Sequence, residues 1–323
     1  MELKELTLAL SNQAFIGSVN TLTPIIEQYL GVKLNKDVSN NFTAFKDFNA
    51  NKTILLEAHL DEVGFVITHI DGGFLTVNSV GSIDAKFLPG QRVTFFGKDK
   101  VPGVFCSTPP HLKNGEKESF EIENLKIDTG LKDASLFLSV GDFGVFDTSS
   151  SLLINDLITA KSLDNRAGVA AVLYAFKNIK KSCYNIKLLL SSGEEVGLRG
   201  AITGAYKNNC DSAICVDVSF ADTYGVKKYK TKPLSSGAMV GISPILNRDM
   251  SNKLLSLSKN ATSEIMGGRT GTNADVISCS KEGVKTALIS IPLKNMHTPV
   301  EIVEICDIKA TADLIIKYLE CEN

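Results

Sequence analysis

Tryptophan is absent from this sequence, and histidine occurs only four times. Long apolar runs are also missing. The longest, Ala167–Phe176, is interrupted by Gly168 and is about half of the roughly 20 residues that a bilayer crossing requires. Neither sign of charge is in excess. Lys and Arg number 34 against 36 Asp and Glu, a formal net charge of −2, so nothing in the balance attracts nucleic acid or an acidic membrane. The one basic run, Lys227–Lys232, is short and isolated and reads as a solvated loop. Seven cysteines include no CxxC pair, and an odd, irregularly spaced set argues against a disulfide framework and for reduced thiols. The first residues, MELKELTLALS, lack a basic segment followed by an apolar core. The expectation is a cytoplasmic globular protein without a nucleic-acid or membrane partner. Its apolar content of 44% is ample for a core.

What is present is organised around Ser191–Gly200, SSGEEVGLRG. The adjacent acids Glu194 and Glu195 follow the apolar run Ile186–Leu190, which reads as a buried strand. Charges at the end of such a strand must be paired, solvated or metal-bound, because removing their water is costly. Gly193 and Gly197 allow a sharp turn around them. Glu194 is assigned to proton handling and Glu195 to metal binding.

Residues 2–10 and 19–30 have helical spacing, with Ser18 or Asn20 as candidate caps. Strand Ile54–Ala58 ends in His59-Leu60-Asp61. Residues two apart share one face of an extended chain, so Asp61 can fix the tautomer of a metal-binding His59. Between Val63 and Leu153 short β-type runs occur at Phe65–Ile70, Phe74–Asn78, Arg92–Phe96, Val101–Phe105 and Leu136–Val140. Turn signals such as Asp71-Gly72-Gly73, Pro89-Gly90 and Asn114-Gly115 separate them, the pattern of a small barrel or sandwich. His69 and His111 fall here with no acidic neighbour placed to make a site with either and read as structural. Beyond Ile154 strands and helices alternate: strand Leu157–Ala160, Asp164 at the head of a helix over 167–180, strand Ala213–Val216 ending in Asp217, a helix over Leu254–Ala261, strand Thr286–Ile291, His297 on the loop beyond it, and a helix over Asp307–Leu319. The glycine-rich stretch Gly267–Ala274 lacks the Lys-Ser/Thr ending of a phosphate loop and reads as a tight turn beside a site.

His59, Asp164, Glu195, Asp217 and His297 thus lie at strand ends or a helix start, where α/β sheets put their sites. Two imidazoles and three carboxylates suit zinc, cobalt or manganese. Five ligands exceed the needs of one catalytic zinc and match two ions sharing a carboxylate, with a reactive hydroxide between them. Glu194 is then the free carboxylate able to move its proton.

The stretches AHLDEVGF (58–65), LPGQRV (88–93), PPHL (109–112), SLDNRAGVAAV (162–172), GEEVGLRGA (193–201), VDVSFADTYG (216–225), TGTNADVI (270–277) and MHTPVE (296–301) resemble, in order, those of the tetrahedral or glutamyl aminopeptidases, a family of di-metal exopeptidases also described as endoglucanase-like. The resemblance implies an α/β fold: a mixed-sheet, three-layer metallopeptidase core formed by 1–61 and 155–323, and an inserted small β-barrel or PDZ-like dimerisation domain at 62–154. It implies one metal at His59 and Asp217, another at Glu195 and His297, Asp164 bridging them, and a cis Asp164–Asn165 peptide. It gives Glu194 the role of general base and acid, and makes Asp61 the partner of His59. It further implies two zinc ions, or cobalt or manganese, peptide substrates with a free N-terminus, and dimers assembling into a tetrahedral dodecamer. The chain departs from the family pattern at Asn273, where an Asp is usual, and at Ser191-Ser192-Gly193. Both bear on loop geometry and specificity rather than on ligands. A di-metal deacylase, a metal-free glycosidase using a carboxylate pair and a non-catalytic assembly protein are the competing readings.

Overall fold

The computed structural model describes residues 1–112 and 121–320. The turn signal Asn114-Gly115 lies outside them.

The principal sheet has eight strands in the order 262–265, 239–242, 285–293, 212–220, 53–59, 185–191, 42–46, 35–36. Its four central strands, Lys285–Leu293, Ser212–Phe220, Thr53–His59 and Asn185–Ser191, are parallel, and antiparallel strands flank them. Strands covered on both faces are apolar nearly throughout, as Ile54, Leu55, Leu56, Leu188, Leu189 and Leu190 illustrate, all fully buried. Ile54, Leu56, Leu188 and Leu190 pack under the helices Leu3–Ser11, Leu163–Asn178 and Ile305–Glu320. Leu55, Leu189, Cys215 and Leu288 face Arg199–Lys207 and Ala274–Ile277 on the other side. The architecture is therefore helix, mixed sheet, helix. No helix among the described residues is long and apolar enough to cross a membrane.

Between these halves the chain closes a six-stranded antiparallel barrel from 64–71, 74–80, 92–96, 100–105, 127–128 and 143–146. Alternate residues Phe65, Ile67, Leu75, Val77, Val93 and Phe95 fill it, with Phe65 edge-on to Phe105 and Phe146.

Three expected elements are displaced. Leu136–Val140 is not a strand. Asp133 caps a helical turn at Ala134–Leu136 by accepting the Ser135 amide, and Leu136 and Val140 are exposed. The barrel strand is Phe143–Phe146, after Gly141 turns the chain at φ 95°. The helix expected over 254–261 runs Arg248–Leu257. It begins where the Asn247 side chain accepts the Met250 amide, and the backbone is extended again at Ser258. The Ser212–Phe220 strand runs three residues beyond Asp217, so that carboxylate lies within a strand. Of the two candidate caps, Asn20 accepts the Leu22 and Thr23 amides, and the helix starts at Thr23.

Candidate metal centre

Five chain segments, four at the carboxyl-terminal halves of the parallel strands or just beyond them and one entering the Leu163 helix, meet within one small region. His59 closes its strand. The neighbouring register pairs Cys215 with Glu57, so two residues further on Asp217 lies beside His59. The His59 Nε2 atom is 3.2 Å from Asp164 Oδ1 and 3.7 Å from Asp217 Oδ1. The His297 Nε2 atom is 3.3 Å from Asp164 Oδ2 and 3.4 Å from Glu195 Oε1. Two three-residue groups result, His59–Asp164–Asp217 and Asp164–Glu195–His297. Asp164 belongs to both and turns one oxygen to each histidine.

These separations suit a metal pair. Two ligands each about 2.0–2.1 Å from a tetrahedral zinc lie roughly 3.3–3.4 Å apart. The electrostatics agree. Burial alone would lower the pKa of His59, but hydrogen bonds to Asp164 and Asp217 carry it well above the ordinary histidine value. Burial opposes the rise at His297 too, yet Asp164 and Glu195 lift it to about 11. Asp164 is also buried, and the two histidines hold its pKa below the usual carboxylate range. The carboxylates thus draw positive charge into the site, and protons on the imidazoles supply it when no cation does. At Glu194 burial outweighs the lowering effect of the His59 charge and, with Asp217, Glu195 and Asp164 adding to it, raises the carboxyl to about 9.

The acidic turn is built from the backbone up. Gly193 and Gly197 sit at φ 72° and 103°, a region open to glycine at little cost. The Asp61 carboxylate accepts the Glu194 amide at 3.0 Å and the Glu195 amide at 3.1 Å. Asp61 also stands beside His59, with its backbone as well as its side chain. The nearer partner of His59 Nδ1 is the Asp61 backbone carbonyl at 3.1 Å, and the carboxylate stands at 3.7 Å. The Asp164–Asn165 peptide is cis. Asn165 donates to the Val216 carbonyl and accepts the Gly168 amide, tying that turn to the Asp217 strand. His69 and His111 are exposed and belong to neither group.

Several charged groups around the site went unassigned in the sequence. Glu57 is buried two residues before His59 and accepts from Ser191 Oγ and Asn273 Nδ2. Asn273 adds a second donor to Glu57, where an Asp would set a carboxylate beside it. The glycine-rich loop is therefore pinned behind the site. Glu62 accepts from Lys161, Ser162 and Arg166, all buried. Glu301 accepts the backbone amides of Asp164 and His297. The available signal was a charge inside an otherwise apolar run, as in ILLEAH.

A family profile described as M42 glutamyl aminopeptidase matches residues 40–314. The lysyl aminopeptidase of Pyrococcus furiosus is 28% identical over 302 residues, covering 90% of this chain and 86% of its own length. Among solved structures, aminopeptidase APDkam598 from the archaeon Desulfurococcus kamchatkensis superposes with a TM-score of 0.91 at 29% identity, covering 98% of this chain and 94% of that one. The TET1 peptidase of Pyrococcus horikoshii, described as able to assemble into a tetrahedron or a large octahedral shell, gives 0.80 at 27% identity with 98% of each chain covered.

Proposed function

The chain belongs to the M42 glutamyl aminopeptidase family, and from that premise we propose that it removes N-terminal residues from peptides with two divalent ions held at the shared Asp164. His59, Asp217 and Asp164 would hold one ion, and Asp164, Glu195 and His297 the other. The observation that carries this reading is the division of the Asp164 oxygens between two histidine–carboxylate groups. The donor set favours zinc, with cobalt and manganese as the alternatives. Such a pair, when bound, polarises a carbonyl and lowers the pKa of water.

The chain's own residues do the rest. Glu194 takes the proton of the attacking water and returns it to the leaving amine. Asp61 fixes the backbone of that glutamate and of Glu195, so the proton carrier and the ligand keep separate directions. Burial of His59, Asp164 and Asp217 limits competing solvent. We assign the segment 62–154 to dimerisation and the halves 1–61 and 155–323 to catalysis. By analogy with the TET1 relative, dimers would close into a tetrahedral dodecamer that admits only short, unfolded peptides.

The test is a panel of aminoacyl and N-acylated aminoacyl chromogenic substrates, each assayed with zinc, cobalt, manganese and a chelator. Turnover of free-amine substrates alone, lost on chelation and regained with metal, is expected. Preference for the acylated set would indicate a deacylase, and chelator-resistant cleavage would remove the metals from the mechanism.

A further inference from the structure

Glu301 stands at the start of the short strand Glu301–Glu304. On one side this strand pairs antiparallel with Leu157–Ala160, in a register that sets Glu301 opposite Ala160. On the other side Ile302 bridges to Lys294, at the end of the Lys285–Leu293 strand. The first neighbour runs directly into Asp164 and the second into His297. The Glu301 side chain therefore sits between the two segments that deliver these residues. It is 1% exposed, and its two oxygens are divided: Oε2 accepts the Asp164 amide at 3.0 Å and Oε1 accepts the His297 amide at 2.8 Å.

Neither amide belongs to ordinary helix or sheet. His297 has φ 60°, a left-handed conformation that costs a non-glycine residue on the order of 1 kcal/mol and persists where its surroundings impose it. Asp164 has extended dihedrals at a point where the chain is otherwise starting a helix. A buried backbone amide without an acceptor is also costly, and both segments find their acceptor in this one carboxylate.

We propose that Glu301 is a positioning residue that fixes Asp164 relative to His297 through their backbones, and so sets the spacing of the ion site completed by Glu195. Its reach is selective. His59 and Asp217 are carried by other strands and make no hydrogen bond to it. Losing the clamp therefore loosens the Asp164–Glu195–His297 group more than the His59–Asp164–Asp217 group. The inference rests on the two-ion reading given above.

The test replaces Glu301 by Gln, which fills the same volume but offers one acceptor and one donor, and by Ala, which offers neither. The metal-free proteins are titrated with cobalt and followed by visible absorption, with circular dichroism and thermal melting to confirm folding. Amide exchange at Asp164 and His297 is read in the metal-free state. Wild type is expected to take up two ions. Glu301→Gln should bind one ion about as wild type and the other about 10- to 100-fold more weakly. Amide exchange should be faster at Asp164 or His297 in this variant. Glu301→Ala should shift the same ion further. If wild type binds two ions and both variants titrate and exchange as it does, Glu301 has no positioning role. Equal weakening of both ions would also overturn the inference. A wild type that binds fewer than two ions would overturn the two-ion reading and this inference with it.

Discussion

At the scale of the residue, the centre separates two adjacent glutamates by what each one touches. Glu195 lies 3.4 Å from the His297 ring, whereas the Glu194 carboxyl is raised to about 9 by burial and its acidic neighbours, against the lowering effect of the His59 charge. Glu194→Gln is therefore expected to lower kcat by at least about a hundredfold, while elemental analysis still finds the ions bound. Loss of the ions in that variant would merge the two roles. His59 and His297 belong to different groups joined by Asp164. His59→Ala and His297→Ala should each weaken a different ion, resolved by two-step calorimetric titration, and identical losses would remove the two-site assignment. These residues were legible in the sequence because a charge or an imidazole after an apolar strand is unusual there. Glu57, Glu62 and Glu301 were not, because their partners are backbone amides or distant side chains that spacing does not reveal.

At the scale of the element, the site depends on close approaches between helices and strand ends. A Cβ on Gly200 would lie 2.1 Å from the Ser192 carbonyl oxygen and 2.3 Å from Asn41 Oδ1, two residues before the acidic pair. Gly200→Ala should destabilise the fold by about 1–3 kcal/mol and reduce kcat as well, read by thermal melting and steady-state assay. A second element-level contact joins the final helix to the loop before Met239. Asp307 is buried, accepts the Ser235 and Gly237 amides, and has its carboxyl raised from 3.8 to about 6 by burial, with Glu304 adding to it. The folded state then holds this proton more tightly than the unfolded chain between those values, so this group's contribution falls as pH rises across that window. Asp307→Asn removes the titration. The urea midpoint of wild type relative to the variant should be most favourable at pH 4 and should decline by pH 6.5. A constant difference would mean that Asp307 ionises as it does in the unfolded chain. The sequence marked most helices and strands by period and caps. It misplaced the Leu136–Val140 strand, because alternation in five residues cannot exclude a turn capped by Asp133.

At the scale of the whole molecule, a mixed sheet with helices on both faces and a closed barrel bring together residues as distant as His59 and His297. A chelated sample should lose activity, melt at lower temperature through loss of ligand linkage, and recover both on adding zinc or cobalt. Light scattering should find a particle of many chains, and a monomer would remove the proposed shell. The sequence by itself determined the fold class and the alternation of strands and helices, and it singled out the five side chains that the proposal makes ligands. Those properties are local: they follow from apolar period, turn residues and the solvation cost of a charge. Only the tertiary structure decided that Asp164 faces both histidines, that the Asp61 carboxylate grips the acidic turn as well as standing 3.7 Å from the His59 imidazole, and that Glu301 joins two ligand segments. Each of those includes a contact across more than a hundred residues, from Asp164 to the histidine rings, from Asp61 to the Glu194 amide and from Glu301 to the Asp164 amide, and such a contact leaves no trace in the order of the residues it connects.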